Sequence, residues 1–133
     1  MAERKWTEAQ LDAINREGKN ILVSAAAGSG KTAVLTRRII GKLTSPDSPA
    51  DISKMLVVTF TKAAASELKE RISSALSDAI ADNPGDRRLQ RQFVLLQKAQ
   101  ISTIHGFCLD LIKKNFDRLG ISPSSKVSDE AQT

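Results

Sequence analysis

Residues 21–40 read ILVSAAAGSGKTAVLTRRII, and this run constrains the fold more than any other part of the chain. NILVS (20–24) has the continuous apolar character of a short buried strand. A glycine-bearing loop follows. Then Val34, Leu35, Ile39, Ile40 and Leu43 recur at helical spacing, with Arg37, Arg38 and Lys42 turned outward. The loop AAAGSGKT fits the phosphate-binding template G-x-x-x-x-G-K-[ST], except that Ala25 stands at the first glycine. Gly28 and Gly30 can take backbone angles closed to other residues, so the N–H groups of Ala25, Ala26, Ala27, Gly28, Ser29 and Gly30 can curl around an anion. Lys31 supplies a point charge for the β- and γ-phosphates, the Thr32 hydroxyl suits Mg²⁺, and the helix adds its positive end. An alanine-rich turn with an accidental lysine would not also need a strand before it and a helix after it. The pattern implies nucleotide phosphates but leaves the reaction open, since kinases, transporters and motors all use it.

The rest of the chain alternates in the same way. Thr7 and Gln10 have capping-box spacing ahead of Leu11 and Ile14, which predicts a first helix ending at Gly18. KMLVVTF predicts a second strand, apolar throughout as if covered on both faces. After Thr61, Ala65, Leu68, Ile72, Leu76 and Ala79 form one stripe of a long helix, with Glu67 and Arg71 spaced to pair, until DNPGD stops it. Leu89, Phe93 and Leu96 mark a further helix, and AQISTI a third strand. The last strong helix starts near His105, with Phe107, Cys108, Leu111, Ile112 and Leu119 read as its buried side. This order implies an α/β layer, a parallel sheet flanked by helices. About three strands are fewer than such sheets usually hold, so the expectation is a partial lobe.

Composition excludes several classes. The chain has 133 residues, enough for one core, and a formal charge of +5 that leans mildly toward polyanionic partners. One cysteine rules out a disulfide framework. The absence of an apolar run of roughly 18 residues argues against a membrane span, and MAERKWTEAQ lacks a signal peptide's apolar core. The expected setting is cytoplasmic, without membrane association.

Four blocks in order, WTEAQLDAI, SAAAGSGKT, VVTFTKAAASELKERI and ISTIHGFCLDLI, resemble the N-terminal part of superfamily 1 DNA helicases of the UvrD/Rep type. The chain is most similar to the AddA (RexA) branch, found in the bacterial AddAB helicase–nucleases. STIHGFC and the long helical stretch between the third and fourth blocks favour that branch over UvrD, Rep or PcrA themselves. Alanine at position 25 is common in these helicases.

The resemblance implies a partial RecA-like P-loop lobe that uses ATP and Mg²⁺ to unwind and process DNA ends in double-strand-break repair. Its partners would be single-stranded and duplex-end DNA and a second, AddB/RexB-like subunit. It divides the chain into residues 1–121, the first part of lobe 1A, and a polar tail, 122–133. Within the first part lie an adenine helix at 6–18, the phosphate loop at 25–32 and DNA-contact blocks at 57–72 and 101–112.

Residue roles follow from the same likeness. Gln10 resembles the family's adenine-reading glutamine, a role that competes with capping Thr7. Thr59, Phe60 and Thr61 match a block that contacts single-stranded DNA, where an exposed ring can stack on any base. Phenylalanine after an apolar strand is more often core, and Thr61 could simply cap. Thr103 and His105 match a T-x-H block at the DNA groove, and His105 could instead cap the last helix.

Two rival readings remain: a small P-loop kinase, for which no acceptor site or arginine-rich lid is evident, and a stand-alone nucleotide- or DNA-binding module without catalysis. Motor catalysis would need a metal carboxylate, a positioned water and arginines that the motifs here do not supply.

Asp129 and Glu130 resemble the acidic motif of helicases. That motif must leave a buried apolar strand, however, and SPSSKVS is not one. Neutralising both in a longer protein is expected to leave DNA-dependent ATP hydrolysis nearly unchanged; a turnover loss of about a hundredfold with intact nucleotide binding would show the pair to be catalytic.

Overall fold

The computed structural model describes residues 5–28, 30–47, 49–122, 124 and 126. Its helices are α1 (Glu8–Asn15), α2 (Lys31–Thr44), α3 (Lys62–Asp82), α4 (Arg87–Leu95), α5 (Ile104–Lys114) and α6 (Phe116–Leu119). Strands β1 (Leu56–Thr59) and β2 (Gln100–Thr103) pair in parallel, Leu56 beside Gln100 through Thr59 beside Thr103. Short 3₁₀ turns at Ile52–Lys54 and Leu96–Lys98 precede the strands.

The core forms where α2, α3 and α4 meet. Ile39, Ile40 and Leu43 of α2 pack with Leu68, Ile72 and Leu76 of α3, and Ile52, Leu89 and Leu96 complete the cluster. Each of these aliphatic side chains contributes about 1.5–3 kcal/mol on burial. Gln92 is the buried polar exception. Its side-chain oxygen accepts the Ile52 N–H at 2.7 Å, which satisfies a backbone donor that would otherwise be stranded beneath α4.

Helix ends are tied by local caps. The Thr61 side chain accepts the Ala64 N–H to start α3, the Asn83 backbone N–H donates to the Ala79 and Ile80 carbonyls to end it, and the Asp86 side chain accepts from the Arg88 and Leu89 N–H groups to start α4. Arg71 pairs with Glu67 at 2.7 Å along α3, as its spacing requires. Arg88 donates to the Leu43 carbonyl at 2.8 Å and so closes the end of α2.

Several expectations need correction. The NILVS segment belongs to no strand. Ile21 and Val23 line the cleft between α1 and α2 while Leu22 is 95% exposed, so the alternation of a strand is present without a ladder. A strand needs a hydrogen-bonded neighbour, and β1 is paired with β2. The sheet therefore has two strands among the described residues, not three. Strand β1 is also shorter than KMLVVTF and covered on one face, with Leu56 and Val58 about half exposed on the other.

Leu35 is exposed, not inward-facing. Arg38 and Lys42 do not simply face water. Arg38 donates to the Ala13 and Ile14 carbonyls at 3.2 and 2.9 Å, and Lys42 bonds Glu17 at 2.8 Å. These contacts fasten the end of α1 onto α2, and the bond from Lys42 holds the Glu17 carboxyl below its ordinary range.

Cys108 is exposed, not core, and Leu111 and Leu119 are about half exposed. Helix α5 has no fully buried residue, because no described element covers its outer side. Asp129 and Glu130 lie outside the described residues.

Truncating Leu76, which is fully buried, to alanine is expected to cost about 2–5 kcal/mol in urea unfolding. Val94→Ala, on the exposed side of α4, should change stability by less than about 0.5 kcal/mol.

Candidate functional site

The phosphate loop is shaped by its glycines. Gly28 and Gly30 have φ of +79° and +90°, a region closed to most side chains, and Gly30 is the residue that caps α2. No side chain caps this helix, so its first N–H groups point into the loop mouth as an electropositive end. The exposed Lys31 ammonium folds back and donates to the Ala25 carbonyl at 2.9 Å, which closes the loop from Ala25 to Lys31. Ala25, Ala26, Ala27 and Gly28 are all exposed, and Ser29 lies outside the described residues.

Thr32 is exposed in the first turn, and its carbonyl accepts the Thr36 hydroxyl at 2.8 Å. A nucleotide-bound Mg²⁺ fits this donor chemistry, a hydroxyl oxygen beside phosphate oxygens. Among the described residues no group of three His, Cys, Asp or Glu side chains could hold a metal ion by itself.

Gln10 sits in a complete capping box. Its N–H donates to the Thr7 hydroxyl at 3.2 Å, and its side-chain oxygen accepts the Thr7 N–H at 2.9 Å. The capping role that competes with adenine reading is therefore present in the fold.

The parallel register gathers the other candidates. Thr59 and Thr103 are direct partners at the carboxyl end of β1 and β2, so the two blocks predicted to touch DNA lie side by side. Open α/β sheets present ligand sites at that end of their strands. The Thr59 hydroxyl donates to the Thr61 carbonyl at 2.9 Å and pins the corner between them. Phe60, at the tip of this corner, is 92% exposed, so it does not plug the core.

Thr103 caps α5 by accepting the Gly106 N–H at 3.0 Å. His105 is exposed in the first turn and is not the cap. A Cβ at Gly106 would approach the Thr103 hydroxyl to 3.1 Å, so glycine in IHGF keeps the cap close. The Thr59–Thr61 bond and the place of Gly106 were missed in the sequence. The T-F-T spacing was the only signal for the first, and a small residue three after a capping threonine for the second.

Residues 6–133 match the UvrD/REP helicase N-terminal domain. The chain belongs to that family. It is 52% identical along its full length to an ATP-dependent helicase/nuclease subunit of the AddA type from Acetivibrio thermocellus, covering 11% of that protein. To the protein of the same name from Clostridioides difficile it is 53% identical over 99% of its length, covering 10%. The chain thus spans about a tenth of the length of the curated relatives it matches. Family and fold agree: a phosphate loop at the start of a helix, with helices flanking a parallel pair, is part of a RecA-like helicase lobe. Both the superfamily and the branch read from the four blocks are met by these relatives.

In this UvrD/REP-type lobe, one substitution should act with opposite signs at two glycines of the same region. Gly30→Ala, at φ +90°, should destabilise by about 1–2 kcal/mol. Gly41→Ala, inside α2 with open space around its Cβ, should stabilise by about 0.5–1 kcal/mol. Thermal unfolding of the two variants beside the unaltered chain measures both.

Proposed function

We propose that this chain is the ATP-binding beginning of lobe 1A of an ATP-dependent DNA helicase–nuclease subunit that unwinds and processes DNA ends in double-strand-break repair. The observation that carries the reading is the closed loop from Ala25 to Lys31 at the uncapped start of α2. On ATP binding, Lys31 exchanges the Ala25 carbonyl for the β- and γ-phosphate oxygens, and the loop N–H groups with Gly28 and Gly30 surround the chain of phosphates. Thr32 would offer its hydroxyl to a Mg²⁺ accompanying ATP, and the chemistry that ion would supply there is neutralisation of phosphate charge. Gln10 reads adenine once its hold on Thr7 is exchanged for the base.

Single-stranded DNA lies across the carboxyl end of the sheet. Phe60 stacks on a base, and Thr59, Thr61, Thr103 and His105 approach the backbone. The exposure of Phe60 and the pairing of Thr59 with Thr103 support this path. Residues 1–121 form the lobe segment and 122–133 a polar continuation. The remaining motor parts, a nuclease and an AddB/RexB-like partner belong to the whole protein and its complex, in a cytoplasmic setting. The 133-residue chain alone binds nucleotide without useful turnover, because the cradle, the lysine and one metal ligand do not amount to a hydrolytic site.

The test uses the full-length protein. Lys31→Ala should lower DNA-dependent ATP hydrolysis by about a hundredfold or more. Phe60→Ala should weaken single-stranded DNA binding by about tenfold, in line with the loss of one base–aromatic stack. Hydrolysis that persists without Lys31 would sink the nucleotide role, and unchanged DNA affinity without Phe60 would sink the DNA path.

A further inference from the structure

Residues 87–98 read RRLQRQFVLLQK, with four cations and no carboxylate. We propose that the outward side of α4 and of the 3₁₀ turn after it is a binding surface for the sugar–phosphate backbone of duplex DNA. The inference rests on the DNA reading above and gives the duplex part of that substrate a site of its own.

Helical spacing makes the face. Arg87, Arg91, Val94 and Lys98 follow one another at intervals of four, three and four, so they share one side of α4 and its continuation. Leu89, Gln92 and Leu96 take the other side and are buried. All four outward residues are exposed, Arg91 with 72% of its side chain in solvent. The stripe runs for roughly 16 Å, at about 1.5 Å per residue. That is the length of about five phosphates of one strand, at about 3.4 Å of duplex axis each.

The charge on this face is not cancelled from within. Among the described residues, no hydrogen bond or ion pair holds the side chains of Arg87 and Lys98. The carboxylates that approach the stripe are committed to local caps. Asp51 accepts the Ser53 N–H and hydroxyl at 2.9 and 2.6 Å and stands 4.0 Å from Arg91, and Asp86 accepts the Arg88 and Leu89 N–H groups. Arg88 itself turns to the Leu43 carbonyl and is not part of the face. Lys69 of α3 donates to the Gln97 carbonyl at 3.2 Å, which adds an ammonium beside Lys98.

What the face lacks selects the duplex. Phe93, the aromatic residue of α4, packs against the core, and Val94 offers no ring. Single-strand binders stack bases on aromatic side chains, as Phe60 is placed to do. In a duplex the bases are already stacked inside, so cations on a convex helix reach all that the outside presents. Lys98 lies two residues before β2 begins, whereas Phe60 follows the end of β1, so the two surfaces stand at opposite ends of the parallel pair.

The test measures how binding of the 133-residue chain to a blunt duplex of mixed sequence falls between about 50 and 200 mM salt. Each phosphate contact contributes about 0.9 to the slope of log K against log salt. Arg87→Ala, Arg91→Ala and Lys98→Ala combined should therefore lower that slope by about 3, with the thermal midpoint kept within a few degrees because all three side chains are exposed. Arg87→Lys with Arg91→Lys, which keeps the charge, should keep the slope, and so should Phe60→Ala. An unchanged slope in the triple variant, or no duplex binding by the unaltered chain, would overturn the proposal. Polyglutamate that competes as well as unlabelled duplex would also overturn it, and would assign the face to an acidic protein. If Phe60→Ala leaves single-strand affinity unmoved while the triple variant still lowers the duplex slope, the single-strand path fails and this face stands.

Discussion

Helix α2 is held from two directions, and the rest of the molecule is arranged around that. Ile39, Ile40 and Leu43 lock its inner face against α3, while Arg38 reaches the other way to the last carbonyls of α1. Hydrophobic burial sets the position of the helix, and the directional bonds from Arg38 fix how α1 lies on it. Its amino end is left bare of side-chain caps, and among the described residues backbone donors and the Lys31 ammonium stand at the loop. Core packing and the uncapped, electropositive helix start therefore share one element. A shift of α2 would move the loop with it.

The sheet organises the second half of the site by register alone. Strands β1 and β2 are short, and neither is buried on both faces. Their parallel pairing still brings residues from two distant blocks to a common edge, with helices α3 and α5 leaving from it. The relatives named as ATP-dependent helicase/nuclease subunits are about ten times longer than this chain.

Local signals were readable wherever a few neighbouring residues decide the outcome. The α3 stripe, the capping roles of Thr7 and Thr61, the Glu67–Arg71 pair and the turn at DNPGD all follow from short spacings, and all are present. Errors arose where a distant neighbour decides. Ile21–Ser24 has the composition of a strand but lacks a described ladder partner. Cys108 and Leu111 have the composition of core, yet no described element covers them. Arg38 and Lys42 read as solvent charges because the carbonyls and carboxylate they bind lie more than twenty residues away. In the candidate site, the motif placed a glycine-bearing loop ahead of α2, but only the fold could show Phe60 standing clear and Thr59 beside Thr103.

The threonines at the strand ends carry a mechanical implication. Thr61 and Thr103 are the N-caps of α3 and α5, and each spends its hydroxyl on the first turn of its helix. Each hydroxyl accepts its helix amide through a lone pair and keeps its own proton, so it can donate to an anion at this edge while the cap stays closed. An anion held there would polarise the hydroxyls and firm the starts of two helices, one of which, α3, shares its core face with α2.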